Sequence, residues 1–128
     1  MDIRELMTAE AHEEGAECNI LHPNTGNPTD IFITVMGPDS KEFRAQQSKL
    51  NRMYVNASKD SVDVDPDYVA VLTRKMIASI TTGWRGVTDS GADVPFSKEK
   101  CEELYAGSPF LFNQVDRFIV DYANFTKG

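Results

Sequence analysis

The sequence predicts an α+β fold, a mostly helical single domain in which an N-terminal β-hairpin packs on about four helices. The length of 128 residues suits one domain with a modest core. Two runs rich in β-branched and aromatic residues flank a turn-rich stretch near the N-terminus, a pattern typical of a hairpin. Apolar residues then recur at helical spacing through most of the remaining chain.

Residues 1–17 are strongly acidic, with six carboxylates against one cation, Arg4. Residues 2–14 have the spacing of a short amphipathic helix, whose apolar side would carry Ile3, Leu6, Met7 and Ala11. We favour a frayed, solvated terminus, and the alternative is a docking segment. The predicted organisation is therefore an acidic segment of expected flexibility at residues 1–17, followed by one domain at residues 18–128.

The hairpin is expected from "ECNILH" and "IFITVMG", which flank the turn-like stretch "PNTGNPTD". Both faces of Ile31–Val35 are largely apolar, so we expect both faces to be covered. A lone two-stranded hairpin is marginal in water. The hairpin must therefore pack on helices or pair with another strand.

The first main helix is expected near residues 40–58, after Gly37-Pro38 ends the strand. Asp39 is the expected N-cap, and Glu42 completes a capping-box pattern. Residues 39–59 carry five basic and two acidic side chains inside a chain of net charge −7. The candidate partner-binding cations of this helix are Lys41, Arg44, Lys49 and Arg52. Their expected partner is an acidic protein or another copy's N-terminus, and the alternative is a merely solvated face.

Three further helices are expected near residues 66–82, 98–106 and 109–125. Each follows a capping residue: Asp65 before Pro66, Ser97, and Ser108 before Pro109. Helical periodicity assigns to the core one face of the last helix, which carries Leu111, Val115, Phe118, Ile119 and Tyr122.

Trp84 is the one tryptophan of the chain, and it lies in the predicted loop "TTGWRGVTDSGADVPFS". Gly83 is expected to take a positive φ and end the second helix, and Gly86 to let backbone pass over the indole. We interpret Trp84 as a plug that fixes this loop to the helices beside Val87 and Phe96. The alternative is an interface anchor, because tryptophan is enriched in binding hot spots.

The charge balance limits the class of partner. A net charge of −7 and a pI of about 4.7 disfavour nucleic acid, because phosphate repels acidic surfaces. No apolar run approaches the roughly 20 residues that span a bilayer. The N-terminus lacks the features of a signal peptide, so we expect a reducing cytoplasm with Cys18 and Cys101 as free thiols.

No motif of catalysis or of metal or cofactor binding is complete. Asp63, Asp65 and Asp67 are spaced like a calcium loop, but Tyr68 and Arg74 stand where that loop needs glycine and glutamate. Structural zinc sites use two tight ligand pairs, and the chain offers only one loose pair, Cys18 and His22. Nucleophile-elbow, P-loop and dinucleotide patterns are also missing. The sequence therefore predicts no catalytic residues, no metal, no cofactor and no enzymatic activity.

Three segments, taken in order, carry a family resemblance: "ITVMGPDSKEFR", "TTGWRGV" and "VPFSKEKCEELYAGSPFLFNQVDRFIVDYANFTKG". Together they resemble the tail assembly chaperones of long-tailed bacteriophages. The resemblance covers roughly residues 18–128, and the acidic N-terminus departs most from it.

The resemblance implies a chaperone that binds the tape measure protein, keeps it soluble and helps recruit tail tube subunits. The implied partners are the tape measure protein and the tail tube protein. Self-association is a further expectation, and the charge balance and hydropathy predict binding to neither nucleic acid nor membrane. The implied location is the host cytoplasm during infection, with the chain absent from the finished virion. Two alternatives stay open: a structural virion component, such as a minor tail or connector protein, and an unrelated small enzyme or regulator.

Overall fold

The computed structural model of the chain describes residues 1–59 and 65–126. Within these ranges, strands and six α-helices form a single α+β domain, which confirms the predicted fold class. The helices are α1 (Ala9–Glu14), α2 (Lys41–Lys59), α3 (Pro66–Ser79), α4 (Lys98–Gly107), α5 (Pro109–Val120) and α6 (Ala123–Thr126). The strands are β1 (Ala16–Leu21), β2 (Pro28–Val35), β3 (Thr81–Arg85), β4 (Thr88–Asp89) and β5 (Ala92–Asp93).

The main sheet is antiparallel, in the order β1-β2-β3. β1 and β2 form the predicted hairpin, and β3 pairs with the other edge of β2. Ile33 on the central strand lies between Cys18 on β1 and Trp84 on β3. The third strand thus supplies the additional pairing that an isolated hairpin needs.

The core lies where the sheet meets α3, α4 and α5. Ile33 and Val35 are fully buried on β2, and Tyr105 is buried on α4. The other buried apolar side chains of this cluster are Cys18, Ile20, Ile77, Ala78, Ile80, Cys101, Leu111, Val115, Ile119 and Phe125. The expected capping side chains Asp65, Ser97 and Ser108 each accept a hydrogen bond from a backbone N–H in the first turn of their helix.

The second predicted helix is shorter than expected, because α3 ends at Ser79 and not at Gly83. The Thr81 hydroxyl donates to the Ile77 carbonyl, and the Lys98 ammonium donates to the carbonyls of Ala78, Ser79 and Thr81. The bonds to Ile77, Ala78 and Ser79 satisfy carbonyls that the end of α3 leaves free. The residues that follow can then pair with β2 as a strand, which local helical periodicity does not predict.

The last predicted helix, 109–125, is divided at Asp121 into α5 and α6. Asp121 has extended backbone angles, and its N–H still donates to the Phe118 carbonyl. The break rotates the following residues, so Tyr122 is exposed while Phe125 is buried. The expectation that Tyr122 belongs to the core was therefore wrong.

Asp39 is not the N-cap of α2. Ser40 takes that role, since its hydroxyl accepts a hydrogen bond from the Phe43 N–H at 3.1 Å. Ser40 is fully buried, and its hydroxyl donates in turn to the Gly37 carbonyl at 2.7 Å. The carboxylate of Asp39 is left available for contacts with distant parts of the chain.

The N-terminal residues divide into exposed and buried parts. Ile3, Leu6 and Met7 of the expected apolar side are exposed, whereas His12 on α1 is fully buried. None of the helices in the described ranges combines the length and hydropathy that crossing a bilayer requires.

Candidate functional site

The four candidate cations, Lys41, Arg44, Lys49 and Arg52, all lie exposed on α2. Ion pairs between described residues join Arg85 to Glu17 and Lys100 to Glu103, and do not involve the four cations. Arg44 is near enough to Asp39 to help lower the pKa of that carboxyl. The basic face of α2 is therefore open to an external partner.

Trp84 lies on strand β3 and not in a loop, so that expectation was wrong. Its indole N–H donates to the Val94 carbonyl at 2.8 Å, and its ring meets the ring of Phe96 edge-on at 5.1 Å. The side chain is half-buried against the core. The expected neighbour Phe96 is thus confirmed, and the hydrogen bond to Val94 ties the β4–β5 hairpin to the strand.

The two glycines beside Trp84 have roles other than those expected. Gly83 pairs with Thr34 within the sheet and does not take a positive φ. Gly86 has a φ of +80°, and a Cβ there would collide with the Asp30 carbonyl. Gly86 therefore allows close approach to the backbone of β2 and not to the indole.

An open hollow of about 340 Å³ lies beside Trp84, between the β4–β5 hairpin and α4. Its apolar lining comes from Trp84, Val87, Val94 and Leu104, and Glu103 contributes to its polar edge. A concave apolar surface with a polar edge is typical of a site for a partner side chain.

A second concave surface, which the sequence did not predict, lies between α2 and α3. This groove has a volume of about 290 Å³, and its apolar lining is Leu50, Met53, Leu72 and Met76. Leu50 and Met53 are three residues apart on α2, so they lie on one face of the helix. In the structure they are half-buried, and no side chain of α2 between residues 41 and 56 is fully buried. Sequence periodicity finds an apolar face but not whether a neighbour covers it.

His12 and Asp39 form a third feature, with no signal in the sequence because the residues are far apart along the chain. The backbone N–H of Asp39 donates to His12 Nδ1 at 2.9 Å, while Nε2 has no hydrogen-bond partner among the described residues. The imidazole packs against Tyr122 and Phe125, with ring centroids 4.7 Å and 4.9 Å away. The Asp39 carboxylate accepts hydrogen bonds from Thr8 and from Tyr122.

The environment of this cluster shifts the pKa of each group. Burial lowers the pKa of His12, and the negative charge of Asp39 partly opposes that effect. The hydrogen bond from Thr8 is the main cause that lowers the pKa of Asp39. The hydrogen bond to Asp39 raises the pKa of Tyr122. The cluster thus joins α1 to the start of α2 and to α6.

The two cysteines are free, as expected, and both are buried. Burial raises the pKa of Cys18 to about 11 and also raises the pKa of Cys101. Their thiolate forms, which are the reactive forms, are therefore suppressed near neutral pH. Within the described residues, no three or more His, Cys, Asp or Glu side chains group to hold a metal ion, and Asp63 lies outside those residues.

The fold and these surfaces define an acidic α+β protein whose candidate sites are partner-contact surfaces: a basic helix face, an apolar hollow and a groove between two helices. Residues 38–128 match the sequence model of a family described as YdaY prophage protein. The chain belongs to this family and is a phage-derived protein. The match includes α2 to α6, and it begins after β2. Comparisons with curated proteins and with solved structures found no significant match.

Proposed function

We propose that the protein is a phage tail assembly chaperone. It binds the tape measure protein, keeps it soluble and helps recruit tail tube subunits during tail morphogenesis. It acts in the host cytoplasm by binding and not by catalysis, and it does not remain in the finished virion. Membership in a prophage family supports the phage setting of this proposal.

The observation that carries the proposal is the open apolar hollow at Trp84. It lies beside "TTGWRGV", one of the segments in which the chain resembles tail assembly chaperones. A chaperone must cover apolar side chains of a client while the client waits for its final partners. An open hollow lined by tryptophan, valine and leucine fits that task, since such side chains gain free energy when they leave water.

Co-expression with the tape measure protein of the same prophage tests the proposal. We expect a larger soluble fraction of the tape measure protein and its co-purification with the chain. The matched variants are Val87→Asp, which places a charge in the hollow, and Val120→Asp, the same substitution at an exposed position on α5. We expect the first to lose co-purification and the second to retain it. A tape measure protein that stays insoluble and unbound contradicts the proposal.

Purified phage particles separate the chaperone from a structural virion component. The chaperone should be present in lysates of induced cells and absent from washed particles. A fixed number of copies per particle would identify a minor tail or connector protein instead.

A further inference from the structure

A third hollow connects the Trp84 hollow to the α2–α3 groove. This third hollow, of about 280 Å³, lies between α3 and α4 and includes Val71 and Ala106 in its lining. It shares Lys75 and Glu102 with the α2–α3 groove. It shares Glu103 with the Trp84 hollow. The three concavities therefore follow one another across α3 and α4.

We infer that these three concavities form one elongated docking track, and that its occupant is a single amphipathic helix of a partner protein. An α-helix is the partner element that fits a long shallow track of this kind, because it presents one apolar stripe along its length. A methionine-lined groove suits such a stripe, since thioether side chains adapt to different partner side chains. This inference rests on the proposed function for the identity of the partner.

The charges beside the track specify the polar flanks of that helix. At the α2 end, Lys49 and Lys75 are exposed and basic. In the middle hollow, the lining from α3 is basic, with Arg74 and Lys75, and the lining from α4 is acidic, with Glu99, Glu102 and Glu103. Charge complementarity therefore selects a helix with acidic flanks beside α2 and basic flanks where it crosses α4. A uniformly charged helix would meet like charge over part of the track.

The apolar lining gives the second requirement on the occupant. Val71 on α3 lies in the middle hollow and is 37% exposed, more than the apolar side chains of the α2–α3 groove. Each concavity thus contributes apolar side chains: Leu72 in the α2–α3 groove, Val71 in the middle hollow, and Leu104 and Trp84 in the Trp84 hollow. The residues that the concavities share, Lys75, Glu102 and Glu103, are charged. A helix without an apolar face would leave these apolar side chains exposed to water or opposite polar groups.

The probe is a synthetic peptide of about 20 residues, which spans about 30 Å as a helix. It carries a leucine stripe, glutamates beside the stripe in one half and lysines in the other half. The control peptide has the same composition in an order that disperses the leucines around the helix. Emission of Trp84, the one tryptophan of the chain, reports binding. We expect the probe, and not the control, to shift the emission to shorter wavelength.

Lys75→Glu tests whether one ligand spans the whole track. Lys75 lines the α2–α3 groove and the middle hollow but not the Trp84 hollow. We expect this exposed reversal to weaken the binding seen at Trp84 by about fivefold to tenfold. Arg117→Glu, an equal charge change on the exposed side of α5, should leave the affinity unchanged. Equal affinities for the wild type and Lys75→Glu would overturn the inference.

The oligomeric state tests the other occupant. If sedimentation showed a dimer that Lys75→Glu dissociates, a second copy would occupy the track and the inference would be wrong.

Binding of the tape measure protein distinguishes a failure of this inference from a failure of the proposed function. If the tape measure protein co-purified equally with the wild type and with Lys75→Glu, the proposed chaperone function would stand and the docking track would be wrong. Loss of peptide binding in Lys75→Glu, without any binding of the tape measure protein to the wild type, would leave the track but remove the chaperone.

Discussion

Asp39 shows how the role of a single residue depends on partners far along the chain. Its neighbours suggested an N-cap, yet Ser40 makes that hydrogen bond. The carboxylate of Asp39 accepts instead from Thr8 and Tyr122, which come from opposite ends of the chain. Ser40 is the N-cap because its short side chain can donate to the Gly37 carbonyl and accept from the Phe43 N–H while fully buried.

Trp84 leads to a prediction about fluorescence. Because its ring packs edge-on against Phe96 and its N–H donates to Val94, water has limited access to the indole. Because the half-buried indole also lines the open Trp84 hollow, we expect emission at a shorter wavelength than that of free tryptophan in water, with partial quenching by iodide. Phe96→Ala should shift the emission to the red, whereas Phe110→Ala, at an exposed position on α5, should not. Emission of the wild type like that of free tryptophan in water would contradict the packing.

Phe118→Ala measures how much a half-buried aromatic side chain contributes to stability. Phe118 packs against Phe125 with ring centroids 5.7 Å apart, but it is not fully enclosed. We expect a loss of about 1–3 kcal/mol in the free energy of unfolding, below the roughly 3–5 kcal/mol of a fully buried phenylalanine. Urea unfolding gives the value. A midpoint unchanged from the wild type would remove Phe118 from the core.

At the scale of elements, His12 makes the attachment of α1 sensitive to acid. Burial holds the pKa of His12 below its ordinary value of 6.5. As the pH falls below that value, the unfolded chain binds a proton before the folded chain does, so the folded state loses stability. Protonation of Nδ1 removes the acceptor of the hydrogen bond from the Asp39 N–H. The negative charge of Asp39 and the exposed hydroxyl of Tyr122 also face the imidazole, but they do not replace this acceptor.

The test is the urea midpoint measured between about pH 7 and about pH 5. We expect the wild type to lose stability across this range. His12→Asn, whose amide oxygen can still accept from Asp39, should lower stability but flatten its dependence on pH. His22→Asn changes the other histidine, which is exposed, and should keep the wild-type dependence. An unaltered slope in His12→Asn would show that His12 is not the responsible group.

At the scale of the whole molecule, the charge distribution is uneven. The basic face of α2 belongs to a chain of net charge −7. Such a surface can attract an acidic partner or the acidic N-terminus of another copy, and salt screens the attraction. The four cations also remain without ion pairs among the described residues, so a partner need not break an internal ion pair.

Reversing Lys49 and Arg52 to glutamate should weaken binding to the tape measure protein, and more strongly at low salt than at high salt. Binding by the wild type and the double variant, measured over a range of ionic strengths, gives the comparison. A control with Arg4 and Arg117 reversed, both exposed and outside the three concavities, changes the net charge equally outside α2. Equal loss of binding in both variants would show an effect of net charge alone, and no loss would leave the α2 face merely solvated.

The sequence by itself determined the elements whose causes are local. The hairpin follows from two β-rich runs around a turn, and the starts of α3, α4 and α5 follow from Asp65, Ser97 and Ser108. The apolar spacing of Leu111, Val115 and Ile119 likewise identified a buried face. These signals reside within a few residues of one another, so they can be recognised without knowing the fold.

Only the tertiary structure decided features that require segments distant along the chain to meet. Residues 81–85 became a strand because β2 offered an open edge and Lys98 satisfied the carbonyls at the end of α3. His12 and Asp39 met because α1 folds against the start of α2 and against α6. The α2–α3 groove stays open because the packing of α2 on α3 leaves Leu50, Met53 and Leu72 only half-buried. Burial and long-range hydrogen bonds depend on which surfaces come together, and local periodicity does not encode that choice.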